Sequence, residues 1–142
     1  MDTKFSVALH ILTMISESKE NLSSQALATS VGTNASYIRK VIALLKNAEL
    51  ITSHQGKVGY ELTKNSADIS LLDIYYATQE VAQVKLFQVH QHANLECPVG
   101  KHIEGAISPV FQQAENQLAQ ELADQSLADV IANLYKQASL AK

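Results

Sequence analysis

The stretch that most constrains the fold is "SSQALATSVGTNASYIRKVIALLKNAELITSHQGKVGYELT", residues 23–63. Ser23 or Ser24 can accept from the free N–H groups at a helix start, and so can cap a short helix over Gln25–Ser30. In "VGTN", Gly32 tolerates the left-handed conformation that stops a helix, and Asn34 can cap the next one. That second helix is predicted over Ala35–Asn47, with Tyr37, Val41, Leu44, Leu45 and Ala48 as its core stripe. At about 100° per residue, Ser36, Arg39, Lys40, Ala43 and Asn47 share the opposite face. Ile51–Ser53 and Tyr60–Leu62 are short strand candidates around a turn with Gly56 and Gly59, which predicts a β-hairpin. A short helix, a glycine turn and a second helix make a helix-turn-helix. A hairpin directly behind it makes a winged helix.

The flanks extend this order. "FSVALHILTMIS" places Phe5, Ala8, Leu9, Leu12 and Ile15 on one stripe and Val7, Ile11 and Met14 on another. A helix that is apolar nearly all round is expected to be buried on two sides, in a core and against a partner. In "ADISLLDIYYATQE", Ser70 and Asp73 form the S-x-x-D start of a capping box, and Tyr75 and Tyr76 read as packing residues. Ile107, Phe111, Ala114, Leu118 and Leu122 make a further helical stripe, with Pro109 as a kink or a first residue. Ser126 and Asp129 repeat the S-x-x-D start before a last helix. The fold class is therefore mostly α with a small β-hairpin. A chain of 142 residues is expected to form one compact domain, with room for an appended element.

Several function classes drop out on composition. One cysteine makes no intrachain disulfide, which points to a cytoplasmic protein. No apolar run approaches the ~18 residues of a membrane span, so no membrane partner is expected. "MDTKFSVALH" makes a poor signal peptide. No nucleophile–base pair, phosphate loop or carboxylate constellation marks an enzyme. The net charge of −3 does not by itself favour nucleic acid. It is unevenly placed, however: residues 1–65 carry seven Lys/Arg against five Asp/Glu, and residues 66–142 carry four against nine. A mildly basic first half is compatible with a polyanionic partner.

In a helix-turn-helix the second helix enters the major groove by its N-terminal turns. That end offers Thr33, Asn34, Ser36, Tyr37, Arg39 and Lys40, although Tyr37 fits a core position better. Arg39 suits a bidentate pair to guanine. Lys4, Lys40 and Lys46 suit phosphates, as do Ser24 and Gln25 at a helix N-terminus. The hairpin tip adds His54, Gln55 and Lys57, with two glycines that let backbone approach a phosphate. The plainer reading is that Arg39 and Lys40 are a solvated helix face. The expected partner is double-stranded DNA; the alternative is a winged-helix protein-interaction module without DNA binding.

"TNASYIRKVIALLKNAELITS", "GYELTK" and "ADISLLDIYYA" resemble, in order, the recognition helix, wing and following helix of the Rrf-two family of bacterial winged-helix transcription regulators. The likeness runs from Thr3 to "SLADVIANL". That family includes the iron–sulfur cluster regulator and the nitric-oxide-sensing repressor. The resemblance implies a homodimeric repressor that reads a palindromic operator. It implies a winged helix-turn-helix over residues 1–80, a linker or sensor loop over 81–104, and dimerisation helices over 105–142. The Ile107–Leu122 stripe and the first helix would form the dimer interface. Two departures bear on the target. The family's wing-tip Arg falls near His54 or Gln55, and the cluster regulator's acidic residue falls on Arg39. An Arg donates to guanine where a Glu accepts from cytosine, so the operator should differ.

The same resemblance singles out "VHQHANLECPVGKH", residues 89–102. Family members that carry an iron–sulfur cluster hold it with three cysteines in this loop. Only Cys97 is present, so no cluster and no other cofactor is expected. Cys97 is a candidate redox or thiol sensor, activated by a nearby His, by Lys101 or by a helix N-terminus. His90, His92, Cys97 and His102 are an alternative metal set with a spacing that matches no standard finger. The plain reading is a packed cysteine among solvated histidines.

Overall fold

The computed structural model describes residues 2–140. The chain folds as α1 (Lys4–Glu17), α2 (Ser24–Val31), α3 (Ala35–Asn47), β1 (Ile51–Ser53), β2 (Tyr60–Leu62), α4 (Leu71–Gln79), α5 (Pro98–Asp124) and α6 (Leu127–Leu140), with a single 3₁₀ turn at Ser66–Asp68. It is the mostly helical winged arrangement that the sequence order predicts. Among the described residues, no helix is long and apolar enough to cross a membrane.

The local signals act where they were read. Ser23 Oγ accepts the Ala26 N–H at 3.1 Å and caps α2. The helix therefore starts at Ser24, one residue earlier than the sequence pattern placed it, and runs to Val31. Gly32 ends it with φ +86°, a conformation cheap only for glycine. Asn34 Oδ1 accepts the Tyr37 N–H at 2.8 Å and caps α3. β1 and β2 pair antiparallel, Ile51 opposite Leu62 and Ser53 opposite Tyr60. The capping box at α4 is complete, with Asp73 N–H donating to Ser70 Oγ at 3.0 Å and Ser70 N–H to Asp73 at 3.4 Å. Ser126 and Asp129 make the same reciprocal pair at α6.

The core sits between α1, α2, α3, α4 and α6. Ala8, Ile11 and Leu12 of α1, Leu27 of α2, Ile69 and Ile74 are fully enclosed. Tyr75 is buried edge-on against Phe5, with ring centroids 5.8 Å apart. The stripe of α3 is Ile38, Val41, Ile42 and Leu45. Tyr37 and Leu44 are half-buried flanks, and Ala48 is exposed rather than core. The predicted arc was rotated by about a residue. Ala48 is the C-cap, and the left-handed Glu49 behind it (φ +61°) turns the chain away.

Two corrections concern the C-terminal half. Helix α5 begins at Pro98, so residues 98–104 are helical rather than linker. Pro98 occupies the first turn, where its fixed φ suits a helix and its missing N–H costs nothing. Pro109 lies inside α5 instead of starting it. Its ring removes the donor to the Gly105 carbonyl, which belongs to an exposed residue that water can reach. Helix α6, for its part, closes the same core as the first half. Leu127 and Ile131 are buried there. Leu127 N–H donates to the Ile69 carbonyl and Leu71 N–H to the Gln125 carbonyl, both at 2.9 Å. A division at residue 105 therefore does not follow the packing. By contrast α5, ~40 Å long at ~1.5 Å per residue, buries only Glu115.

Candidate nucleic-acid interface

The outward face of α3 is built by its inward one. Because Ile38, Val41, Ile42 and Leu45 point into the core, Ser36, Arg39, Lys40, Ala43 and Asn47 are all exposed together. Among the described residues, neither Arg39 nor Lys40 makes an ion pair. One guanidinium and one ammonium group therefore stand free on the outward face of the N-terminal half of α3. Thr33 is half-buried beside them, and its N–H is spent on the Ala28 carbonyl at 3.0 Å. The Asn34 side chain is committed to its cap. Tyr37 leans on the core, with its hydroxyl 3.4 Å from Thr3 Oγ1.

The remaining candidates fall into two groups. Gln25 is exposed in the first turn of α2, and Gln55 and Lys57 are exposed on the wing. Others are engaged by the protein. Lys4 is ion-paired to Asp2 at 2.8 Å, and its ammonium holds the Asp2 carboxyl below its ordinary range. Lys46 Nζ donates to Ser53 Oγ at 2.8 Å, which ties α3 to the wing. The Ser24 hydroxyl is 3.2 Å from the Tyr60 hydroxyl. His54 is half-buried, its Nδ1 3.8 Å from a Glu61 oxygen and its N–H donating to the Gly59 carbonyl at 3.1 Å.

Gly59 does not present backbone to a phosphate. It is buried at φ +120°, where a Cβ would sit 2.9 Å from the His54 ring and 3.0 Å from Asn21. Its role is to let the wing close onto the loop before α2. Gly56, at φ +71° with open space around it, makes the turn itself. Between the start of α2 and the wing lies an open hollow of ≈ 340 Å³, bordered by Ser23, Ser24, Ser53, Lys57 and Tyr60. Ser53 and Tyr60 escaped the sequence reading, since a three-residue strand gives no sign of which hydroxyls face α2.

The stretch 89–102 leads into α5. Cys97 is exposed and is the N-cap residue of that helix. The Cys97 side chain accepts no capping hydrogen bond, but the neighbouring backbone N–H groups of Gly100 and Val99 hold its thiol below the ordinary value, so the helix start is the activating feature rather than a histidine or Lys101. Gly100 is required here: a Cβ would overlap the Asn94 carbonyl oxygen. Asn94 in turn receives the Cys97 N–H at 3.2 Å. Among the described residues, no three of His, Cys, Asp and Glu gather into a metal-holding group, so His90, His92, Cys97 and His102 do not converge. The donor set does not fit an iron–sulfur cluster, which needs several thiolates where this chain has one.

A glycine-turned helix pair with a hairpin behind it, and a free basic face on the second helix, define a winged helix-turn-helix protein. The profile of the Rrf2 (Rrf-two) family, described as iron-dependent transcriptional regulators, matches residues 1–133. The chain is 43% identical over 135 residues to the provisionally described HTH-type transcriptional regulator YwnA of Bacillus subtilis, covering 95% of this chain and 99% of that protein. It is similar to a crystal structure provisionally described as a DNA-binding protein, at 41% identity and a TM-score of 0.73, covering 90% of this chain and 98% of that one. The fold is also that of CymR, the global cysteine regulator of B. subtilis, at 18% identity and a TM-score of 0.69 over 93% of this chain and 95% of that one. The chain belongs to the Rrf2 family of winged helix-turn-helix transcriptional regulators. Among the described residues, no three His, Cys, Asp or Glu gather into a group that could hold the iron in that family's description.

Proposed function

We propose that this protein is a homodimeric, sequence-specific DNA-binding repressor that places α3 in the major groove and the wing beside it. The observation that carries the reading is the exposed, ion-pair-free pair Arg39 and Lys40 on the face opposite the α3 core stripe. Arg39 reads guanine, and Ser36 and Asn47 flank it. Lys40, Gln25, Gln55 and Lys57 meet phosphates. The hollow between α2 and the wing takes one phosphate, with Lys57 and the α2 N–H groups around it. Lys46, His54, Ser24 and Tyr60 hold the wing at its angle to α3. Lys4 contributes less, because Asp2 already neutralises it.

Dimerisation is supported by α5, whose Val99 and Val110 are exposed and whose Ile107 and Leu118 are half-buried, whereas Phe111 is covered by Phe87 and Leu122 by the chain's own core. A dimer carries two recognition helices, and these call for a palindromic site. Cys97 supplies a thiol response, since it is exposed at a helix start whose backbone N–H groups lower its pKa and so make the thiolate easier to form.

The test is a mobility shift on the DNA upstream of the protein's own gene. Arg39→Ala is expected to cost about 1–3 kcal/mol of discrimination at one base position. Equal binding by wild type and the Arg39→Ala/Lys40→Ala double variant would count against the reading. Cys97→Ser should keep DNA binding and lose its response to peroxide or sulfide; an unchanged response rejects the sensor role. The acidic net charge of −3 favours a second reading, a winged protein-interaction module. Steep salt dependence of duplex binding removes it, because phosphate neutralisation releases counterions.

A further inference from the structure

Residues 81–97, between α4 and α5, contain no helix or strand, yet they are fastened to α5 at defined points. Val84 is buried. The Phe87 ring stacks on Phe111 of α5, with centroids 4.9 Å apart and planes 28° apart. Most telling is Glu115, a carboxylate 6% exposed on a helix with no other buried residue. Its Oε2 accepts the backbone N–H of Leu86 at 2.5 Å and of Phe87 at 3.2 Å. A charge is tolerated away from water only where it is hydrogen-bonded or paired. Here two backbone donors serve it, with Lys85 as the neighbouring cation.

The position of this latch matters. The Glu115 carboxylate borders a small cavity of ≈ 200 Å³ between α4 and α5, where Tyr76 of α4 faces Gln112 and Asn116 of α5 across Val84 and Lys85. Helix α4 packs on both α1 and α3, so the α4–α5 cleft is where the reading unit meets the long helix. The cleft, together with the α5–α6 junction where Leu71 N–H donates to the Gln125 carbonyl, sets the angle between them. About 5° at the end of a ~40 Å helix displaces it by about 3.5 Å, close to one base-pair step.

We infer that Glu115 is a positioning residue for DNA reading: by latching the 81–97 strap in the α4–α5 cleft, it fixes the separation of the two recognition helices and hence the half-site spacing the dimer accepts. The inference rests on the dimeric DNA-binding reading above. Glu115 touches no DNA in this account. It acts through the strap and α4.

The experiment uses the full chain as wild type, Glu115→Ala and Glu115→Gln. Half-sites are found by wild-type selection from a random duplex library. Duplexes are then built with the half-sites at the selected spacing and with one or two base pairs added or removed. Glu115→Ala is expected to speed amide exchange at Leu86 and Phe87 by about tenfold or more, as loss of a charge-assisted hydrogen bond does. It should also flatten the spacing preference by about tenfold while single half-site binding stays as in wild type. Glu115→Gln keeps an acceptor oxygen and is expected to restore most of both. Wild-type exchange at Leu86 and Phe87 in Glu115→Ala overturns the latch. Faster exchange with an unchanged spacing preference overturns the positioning role. If Glu115→Ala fails to fold, Phe87→Ala, which removes the strap's stacking on Phe111, is read in its place; faster exchange at Leu86 with a flattened spacing preference supports the inference, and an unchanged spacing preference overturns it. A wild type that selects no duplex defeats the functional reading itself, and with it the positioning role.

Discussion

Single residues here do opposite jobs that their names do not reveal. Gly59 and Gly56 look alike in a Gly-rich wing, yet Gly59 is enclosed by His54 and Asn21 while Gly56 is open. Gly59→Ala is expected to cost about 1–3 kcal/mol, since both backbone strain and contact oppose a Cβ. Urea denaturation measures it, and a loss under about 0.5 kcal/mol would contradict the packing described, the range of an ordinary surface change. Glu115 gives a pH test. Its two backbone donors hold its carboxyl below the ordinary value of 4.5. The stabilisation is therefore complete above the unfolded glutamate range and is lost as pH falls through the lowered folded value. The stability gap between wild type and Glu115→Gln should be constant near neutral pH and close on acidification below about 4. A gap that widens in acid would reverse the sign.

At the scale of elements, the caps decide where helices begin. Asn34 is both the α3 cap and a residue that sequence reasoning assigned to DNA. Asn34→Ala is expected to lose about 0.5–2 kcal/mol of stability. DNA affinity should fall with it, because the first turn of α3 loses its anchor. Unchanged unfolding by urea would remove the cap from the account. The strands, both S-x-x-D starts and α3's bounds were legible because each depends on neighbours within a few residues. The core arc of α3 was less so. Tyr37 and Ile38 are both apolar enough to face inward, and only packing against α1, α2 and α4 selects Ile38. The start of α5 at Pro98 was missed because Pro109 offered a competing reading of the same rule.

For the whole molecule, the C-terminal helix is the surprise. Leu127 is fully buried among residues from α1 to α4. Leu127→Ala is expected to destabilise the fold by about 2–5 kcal/mol, read from the midpoint of a denaturant transition. A simple dimer-interface residue would instead shift the monomer–dimer balance and leave the monomer's stability intact.

By itself the sequence determined the order of helices, the turn at Gly32, the hairpin, the basic face of α3 and the lack of cluster ligands. Each of these follows from spacing, capping or a count of donors. Only the tertiary structure decided that α6 joins the first half's core, that Lys4, Lys46 and Ser24 are engaged within the protein, and that Glu115 is drawn out of water. Those outcomes depend on residues far apart in the chain, such as Glu115 and Leu86 or Leu127 and Ile69. No local pattern records such meetings, because closure of the core brings them about.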